Sequence, residues 1–176
     1  MVILITGASH TGKTLLAQRL LEKTHIPYLS IDHLKMGLIR SGQTHLTVQD
    51  DDALTPYLWA IVREMVKTAI ENQQNLIVEG CYIPFSFRQD FDEFYWRDIR
   101  FICLAMTDRF IDTHWNKIKQ HACDIEQRLE SICDIKQLKE DNYKYIQGFS
   151  KENIVLIDEQ YQQVIDAVVE KIVQAA

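Results

Sequence analysis

The sequence is poor in glycine and proline, with six and three among 176 residues, so it offers no stretch of the flexible kind that separates domains. One compact unit over residues 1–176 is expected. Long hydrophobic runs are also missing. The longest near the start covers residues 1–5, far short of the roughly 20 apolar residues a bilayer span needs. Gly7 breaks that run before it could become the apolar stretch of a secretory signal. No membrane association and a cytoplasmic location are expected. Positive charge is in deficit, 19 Lys and Arg against 25 Asp and Glu for a net −6, which argues against a general electrostatic grip on nucleic acid. Cysteine is limited to Cys81, Cys103, Cys123 and Cys133. No two of them have CxxC spacing, and none stands at zinc-ligand spacing from His33, His114 or His121. They read as free thiols packed in the interior of a protein from a reducing compartment.

What is present is an alternation of two patterns. Short apolar, β-branched runs recur at 2–5, 28–31, 76–78, 99–104 and 154–157 and predict five buried strands. Between them, apolar residues recur three and four apart, most clearly from Leu54 through Leu58, Val62, Val66 and Ile70, and again from Val164 through Val168, Ile172 and Val173. That spacing predicts helices with one core-facing side. Strands alternating with helices imply an α/β fold with a parallel sheet covered on both faces. The acidic run at 50–52 reads as first-turn charge at a helix start. Residues 107–147 keep helical spacing through Ile111, Trp115, Ile118, Ile125, Leu129 and Ile132, with no strand until 154, so extra helical structure is expected there.

The first strand runs into GASHTGKT, residues 7–14. Gly7, four residues, Gly12, Lys13 and Thr14 match the GxxxxGK[ST] pattern of a phosphate-binding loop, and a helical segment with Leu15, Leu16, Leu20 and Leu21 leaves it. The glycines let the backbone bend close to phosphate oxygens, so the N–H groups of Gly7, Ala8, Ser9, His10, Thr11, Gly12, Lys13 and Thr14 can converge on an anion at the positive end of a helix. Lys13 supplies a point charge able to span β- and γ-phosphates. The Thr14 hydroxyl can complete the shell of a magnesium ion.

Ligands of open parallel sheets lie at the strand ends, so carboxylates there are the next candidates. Asp32 ends the second run and Glu79 the third. Glu79 could hold a magnesium-bound water, and Asp32 could orient an acceptor hydroxyl or take its proton. The plain alternatives are a helix cap for Asp32 and an exposed strand-end charge for Glu79. Lys35 and Arg40 follow Asp32, while Gly80 and Arg88 follow Glu79, all at the rim where an acceptor would sit. Arg109 and Arg128 fall in the extra helical region and are candidates to close over a γ-phosphate. Phe85, Phe87, Phe91, Phe94 and Tyr95 read as packing, with a second possibility as a wall of the acceptor pocket.

On GASHTGKT, the acid-ended SIDHLKMGLIRSG, NLIVEG and the helical segment ending IEQR, the chain resembles the small P-loop kinases, the group of adenylate kinase, shikimate kinase, chloramphenicol phosphotransferase and the zeta-toxin kinases. The resemblance implies five parallel strands in the order 2-3-1-4-5, a helical lid after strand four at about 107–147, and an acceptor region after strand two. It implies that Asp32 acts on the acceptor, as in hydroxyl-phosphorylating members, or that Arg40 meets an acceptor phosphate, as in nucleoside monophosphate kinases. An adenylate kinase would show DGFPR where this chain reads EGCYIPFSFR, which favours a small-molecule kinase.

The expectation is an enzyme that uses ATP and Mg2+ to phosphorylate a small-molecule acceptor, most simply a hydroxyl-bearing metabolite, with Lys13, Asp32 and Arg128 catalytic and with Asp32, Lys35, Arg40, Glu79, Gly80 and Arg88 on the acceptor side. Thr14 and, through water, Glu79 would serve the metal. The alternatives are a nucleoside monophosphate kinase and, in another class, an ATP-binding sensor or switch. A guanine-reading switch would carry NKxD, whereas the nearest string runs Asn116, Lys117, Ile118, Lys119. Oligomeric state stays open between monomer and homodimer.

Overall fold

The computed structural model describes residues 1–121 and 134–175. Five strands, β1 (Val2–Gly7), β2 (Tyr28–Ser30), β3 (Leu76–Glu79), β4 (Ile99–Met106) and β5 (Ile154–Ile157), form one sheet in the order β2-β3-β1-β4-β5. Every pairing is parallel. The helices are α1 (Lys13–Thr24), α2 (Ile31–Arg40), α3 (Asp51–Glu71), the one-turn α4 (Glu93–Trp96), α5 (Asp108–Gln120), α6 (Ile135–Gly148) and α7 (Tyr161–Ala175). No helix among the described residues is long and apolar enough to cross a membrane.

Side-chain alternation along the strands distributes the core. Val2 and Leu4 of β1 join Val78 and Cys103 in a cluster under α3, with Leu54, Leu58, Trp59, Val62 and Val66. Ile3 and Ile5 point the other way, to Leu16, Ala17 and Leu20 of α1 and to Ile165, Val169 and Ile172 of α7. Burying both faces of β1 requires an unbroken apolar run, which is why VILI carries no polar residue. Each such fully buried aliphatic side chain contributes about 1.5–3 kcal/mol relative to exposure.

The segment expected as extra helical structure provides two described helices, α5 and α6. A third cluster holds them to the sheet, built from Met106, Phe110, Ile111, Ile118, Leu138 and Ile157. Asn142 of α6 is fully buried; its Oδ1 accepts from the Met106 N–H at 2.7 Å and its Nδ2 donates to the Leu138 carbonyl at 2.8 Å. A side-chain amide thus satisfies the last backbone donor of β4, and α6 packs against the sheet.

Strand register sets the site. Ile5 lies opposite Glu79, and Glu79 opposite Ser30. Three parallel strands, each about 4.8 Å from the next, therefore release the chain at one level: β1 into the loop at Gly7, β2 into α2, and β3 into the turn at Gly80.

Candidate active site

The loop after β1 is shaped by positive φ angles at Gly7 (144°), His10 (62°) and Gly12 (87°). A Cβ on Gly7 would stand 2.2 Å from the Leu104 carbonyl oxygen of the neighbouring strand, and one on Gly12 would stand 1.7 Å from Tyr161 Oη. At Gly7 the obstacle is backbone and only glycine fits, while at Gly12 a side chain would need Tyr161 to move and would sit at positive φ. Gly12 caps α1 without a side-chain hydrogen bond, so the amide hydrogens of its first turn face the loop as a site for an anion. Thr11 Oγ1 donates to the Ala8 carbonyl at 2.8 Å and Lys13 Nζ donates to the same oxygen at 2.9 Å, which closes the loop on itself.

Lys13 is buried, only 6% exposed. Burial by itself would lower its pKa, but Cys81, Glu79 and Asp32, with a hydrogen bond to Cys81, hold it above the ordinary value. The ammonium is retained, and the residues that retain it come from the ends of β2 and β3. Glu79 is 1% exposed, so the plain reading as a solvated strand-end charge does not apply. Thr14 Oγ1 donates to Glu79 Oε2 at 3.3 Å. A hydroxyl and a carboxylate at that separation form a hard-oxygen donor set that suits magnesium directly or through water. Gly80, with φ of 157°, packs its bare Cα against Ile31, and its carbonyl accepts from Thr6 Oγ1 at 2.9 Å.

Asp32 stands in the first turn of α2, after Ser30 as N-cap, so it is not the cap itself. Its Oδ1 receives Lys35 Nζ at 2.7 Å. Lys35 also donates to Tyr82 Oη at 2.8 Å, and Tyr82 Oη donates to Asp51 Oδ1 at 2.8 Å. Tyr82 and Asp51 escaped the sequence reading. Their signal was Tyr82 three positions past Glu79, and an acidic helix start that local charge alone accounted for.

Other expected residues are placed elsewhere. Arg40 is exposed at the last turn of α2, seven residues beyond exposed His33 and on the same stripe. Arg88 stacks 4.2 Å over the Trp96 ring and donates to the Phe91 carbonyl and Glu93. Arg109 pairs with Asp158 and Glu159. Arg128, Cys123 and Cys133 lie outside the described residues. Cys103 is buried, whereas Cys81 is only half-buried, a correction to its reading as an interior thiol. In the aromatic group, Phe87 and Phe91 are buried against Trp59, while Phe85 and Phe94 are about half exposed.

Beside the loop, a cavity of about 680 Å³ opens between α5 and the start of α7, lined by His10, Arg19, Phe110, His114, Ile118 and Tyr161 among others. Phe110 and His114 stack with centroids 4.4 Å apart and present a flat wall. The loop after β1 carries residues of the cavity wall, His10, Gly12, Lys13 and Thr14, and Thr14 also meets buried Glu79.

No family model matches the chain, and no curated protein matches its sequence. Solved structures do. A sugar kinase from Janibacter sp. aligns with a TM-score of 0.58 at 13% identity, over 96% of this chain and 92% of its own. Shikimate kinase from Bacteroides thetaiotaomicron aligns at 0.57 and 15% identity, over 98% of both chains. A gluconokinase from Sinorhizobium meliloti aligns at 0.54 and 13%, over 99% and 94%. With its 2-3-1-4-5 parallel sheet, the chain has the fold of the small P-loop kinases.

Proposed function

We propose that this protein transfers the γ-phosphoryl group of ATP to a hydroxyl of a small molecule. The observation that carries the reading is the convergence on buried Lys13 of Glu79 and Asp32, from two other strand ends, next to Thr14. Phosphoryl transfer demands charge stabilisation and positioning more than covalent chemistry. The loop amides and Lys13 would hold the phosphates, with the nucleobase against Phe110, His114 and Tyr161 in the neighbouring cavity. Magnesium, when bound, would neutralise developing phosphate charge. Thr14 and Glu79 are the residues that fit it, Glu79 through a water.

Asp32 would receive the acceptor hydroxyl and take its proton as the oxygen attacks. Lys35 holds that carboxylate at 2.7 Å and limits its rotation. Arg40, exposed at the far end of α2, supports a hydroxyl acceptor over the nucleoside monophosphate alternative. Among the known folds it is similar to, two carry kinase names for hydroxylated acids, gluconate and shikimate. A metabolite screen for ATP consumption with magnesium tests the reading. Lys13→Ala is expected to abolish turnover, and Asp32→Asn to lower kcat by about 10²–10⁴-fold with nucleotide binding kept. Equal hydrolysis with and without every acceptor, together with nucleotide-dependent capture of a protein partner, would support the sensor reading instead.

A further inference from the structure

Lys35 meets Asp32 from within α2, and its own position is fixed from outside that helix. Its Nζ donates to Asp32 Oδ1 at 2.7 Å and to Tyr82 Oη at 2.8 Å, and it stands 4.9 Å over the Tyr82 ring. Tyr82 Oη donates in turn to Asp51 Oδ1 at 2.8 Å. A phenol has one proton to give. With that proton committed to Asp51, the oxygen lone pairs face Lys35, so each hydrogen bond fixes the direction of the next. Burial, and then the contact with Asp51, hold the Tyr82 hydroxyl pKa far above its ordinary value, which keeps the proton in place. Tyr82 is 6% exposed and packed in the cluster under α3, and Asp51 belongs to the first turn of that helix.

We propose that Tyr82 is a positioning residue: held by Asp51, it fixes Lys35 and, through Lys35, the orientation of the Asp32 carboxylate toward the acceptor hydroxyl. The proposal rests on the phosphoryl-transfer reading above and gives Tyr82 and Asp51 a part in it. A lysine and a carboxylate one turn apart on a helix hold each other weakly, because a long flexible stem must be ordered for a single point contact. A second contact, to a hydroxyl anchored in the core, removes that freedom before the acceptor arrives. Charge by itself does not do this. Buried Lys13 also stands in the field of Asp32, so the carboxylate meets positive charge from the phosphate side as well as from Lys35. That field acts on both carboxylate oxygens, whereas the 2.7 Å contact at Oδ1 distinguishes one from the other. Three segments distant in sequence, α2, the turn after β3 and the start of α3, thus converge on the geometry of one carboxylate.

Turnover is measured with the fastest acceptor from a panel of sugars, polyols and hydroxy acids that includes gluconate and shikimate. Tyr82→Phe keeps the ring and deletes the hydroxyl, and is expected to lower kcat about 10–100-fold with KM for ATP unchanged. Asp51→Ala, at an exposed helix start, is expected to lower kcat about tenfold. Asp51→Asn keeps an oxygen that accepts from Tyr82 and is expected to lose less than Asp51→Ala. The deciding measurement combines Tyr82→Phe with Asp32→Asn. Acting through Asp32, the tyrosine substitution costs less than about twofold once the carboxylate is gone, whereas a residue that only stabilises the fold costs the same factor in both backgrounds. Equal factors, or wild-type kcat in Tyr82→Phe, overturn the proposal and leave the phosphoryl-transfer reading standing. Where Tyr82→Phe does not fold, Asp51→Ala takes its place in the same cycle and is read in the same way. A fully active Asp32→Asn enzyme overturns the role of Asp32 and this proposal with it. No turnover across the panel, with ATP still bound, overturns the phosphoryl-transfer reading as well.

Discussion

At the scale of single residues, the two loop glycines face different obstacles. A methyl on Gly7 would strike a carbonyl of β4, which the sheet holds in place, and one on Gly12 would strike the hydroxyl end of Tyr161, which can swing away. Both also leave an alanine at positive φ. Gly7→Ala is therefore expected to destabilise the fold by more than about 2 kcal/mol, and Gly12→Ala by about 1–2 kcal/mol. Urea denaturation of the two variants checks the order, and a larger loss for Gly12→Ala would contradict the packing account. Lys13 is buried, stands in the field of two carboxylates, Glu79 and Asp32, and is hydrogen-bonded to Cys81. Lys13→Ala is accordingly expected to keep the fold while losing the thermal shift on adding ATP, which for wild type at 100 times Kd corresponds to about 2.7 kcal/mol.

At the scale of elements, α6 shows how one polar residue can dock a helix. Its buried positions are Leu138 and Asn142, and the asparagine satisfies the Met106 N–H at the end of β4. Asn142→Leu is expected to cost about 1–3 kcal/mol, because it strands a buried backbone donor while gaining apolar volume. The urea midpoint measures it. An unchanged midpoint would mean that another group or a water takes over the donor. This element was hard to read from sequence for the same reason: a helix anchored by an amide gives a weak apolar stripe, so residues 135–148 looked like an addition to the fold instead of a layer of it. α3 is the opposite case. Its seven buried side chains follow the 3.6-residue period, and the sequence pattern marked it from Leu54 to Ile70.

At the scale of the whole molecule, burial links stability to alkaline pH. The Cys103 thiol, in the cluster under α3, is pushed by burial from 9.0 to about 12. Tyr82 and Tyr145 are raised too, chiefly by burial. The folded state then binds these protons more tightly than the unfolded state. Their contribution is full below pH 9 and is lost as pH rises from 9 towards 12. Cys103→Ala is expected to lower stability at pH 7 by about 1 kcal/mol through lost packing and to flatten that alkaline decline. Urea midpoints taken from pH 7 to 11 check both, and a parallel curve for the variant would remove Cys103 from the linkage.

The sequence by itself determined what depends on near neighbours. GASHTGKT specifies a loop because its glycines, lysine and threonine act within eight consecutive residues, and the alternation of β-branched runs with 3.6-period stretches specifies strands and helices, since each period belongs to its own element. Tertiary structure decided what depends on strand order. That order places Glu79 beside Thr14 and brings Asp32 within the field of Lys13, although 65 residues separate Thr14 from Glu79. It also decided which charges were already engaged: Arg88 with Glu93 and Trp96, Lys35 with Asp32 and Tyr82. A charged side chain's partner is chosen by whichever opposite charge or ring the fold brings within a few ångströms, and local sequence does not contain that distance.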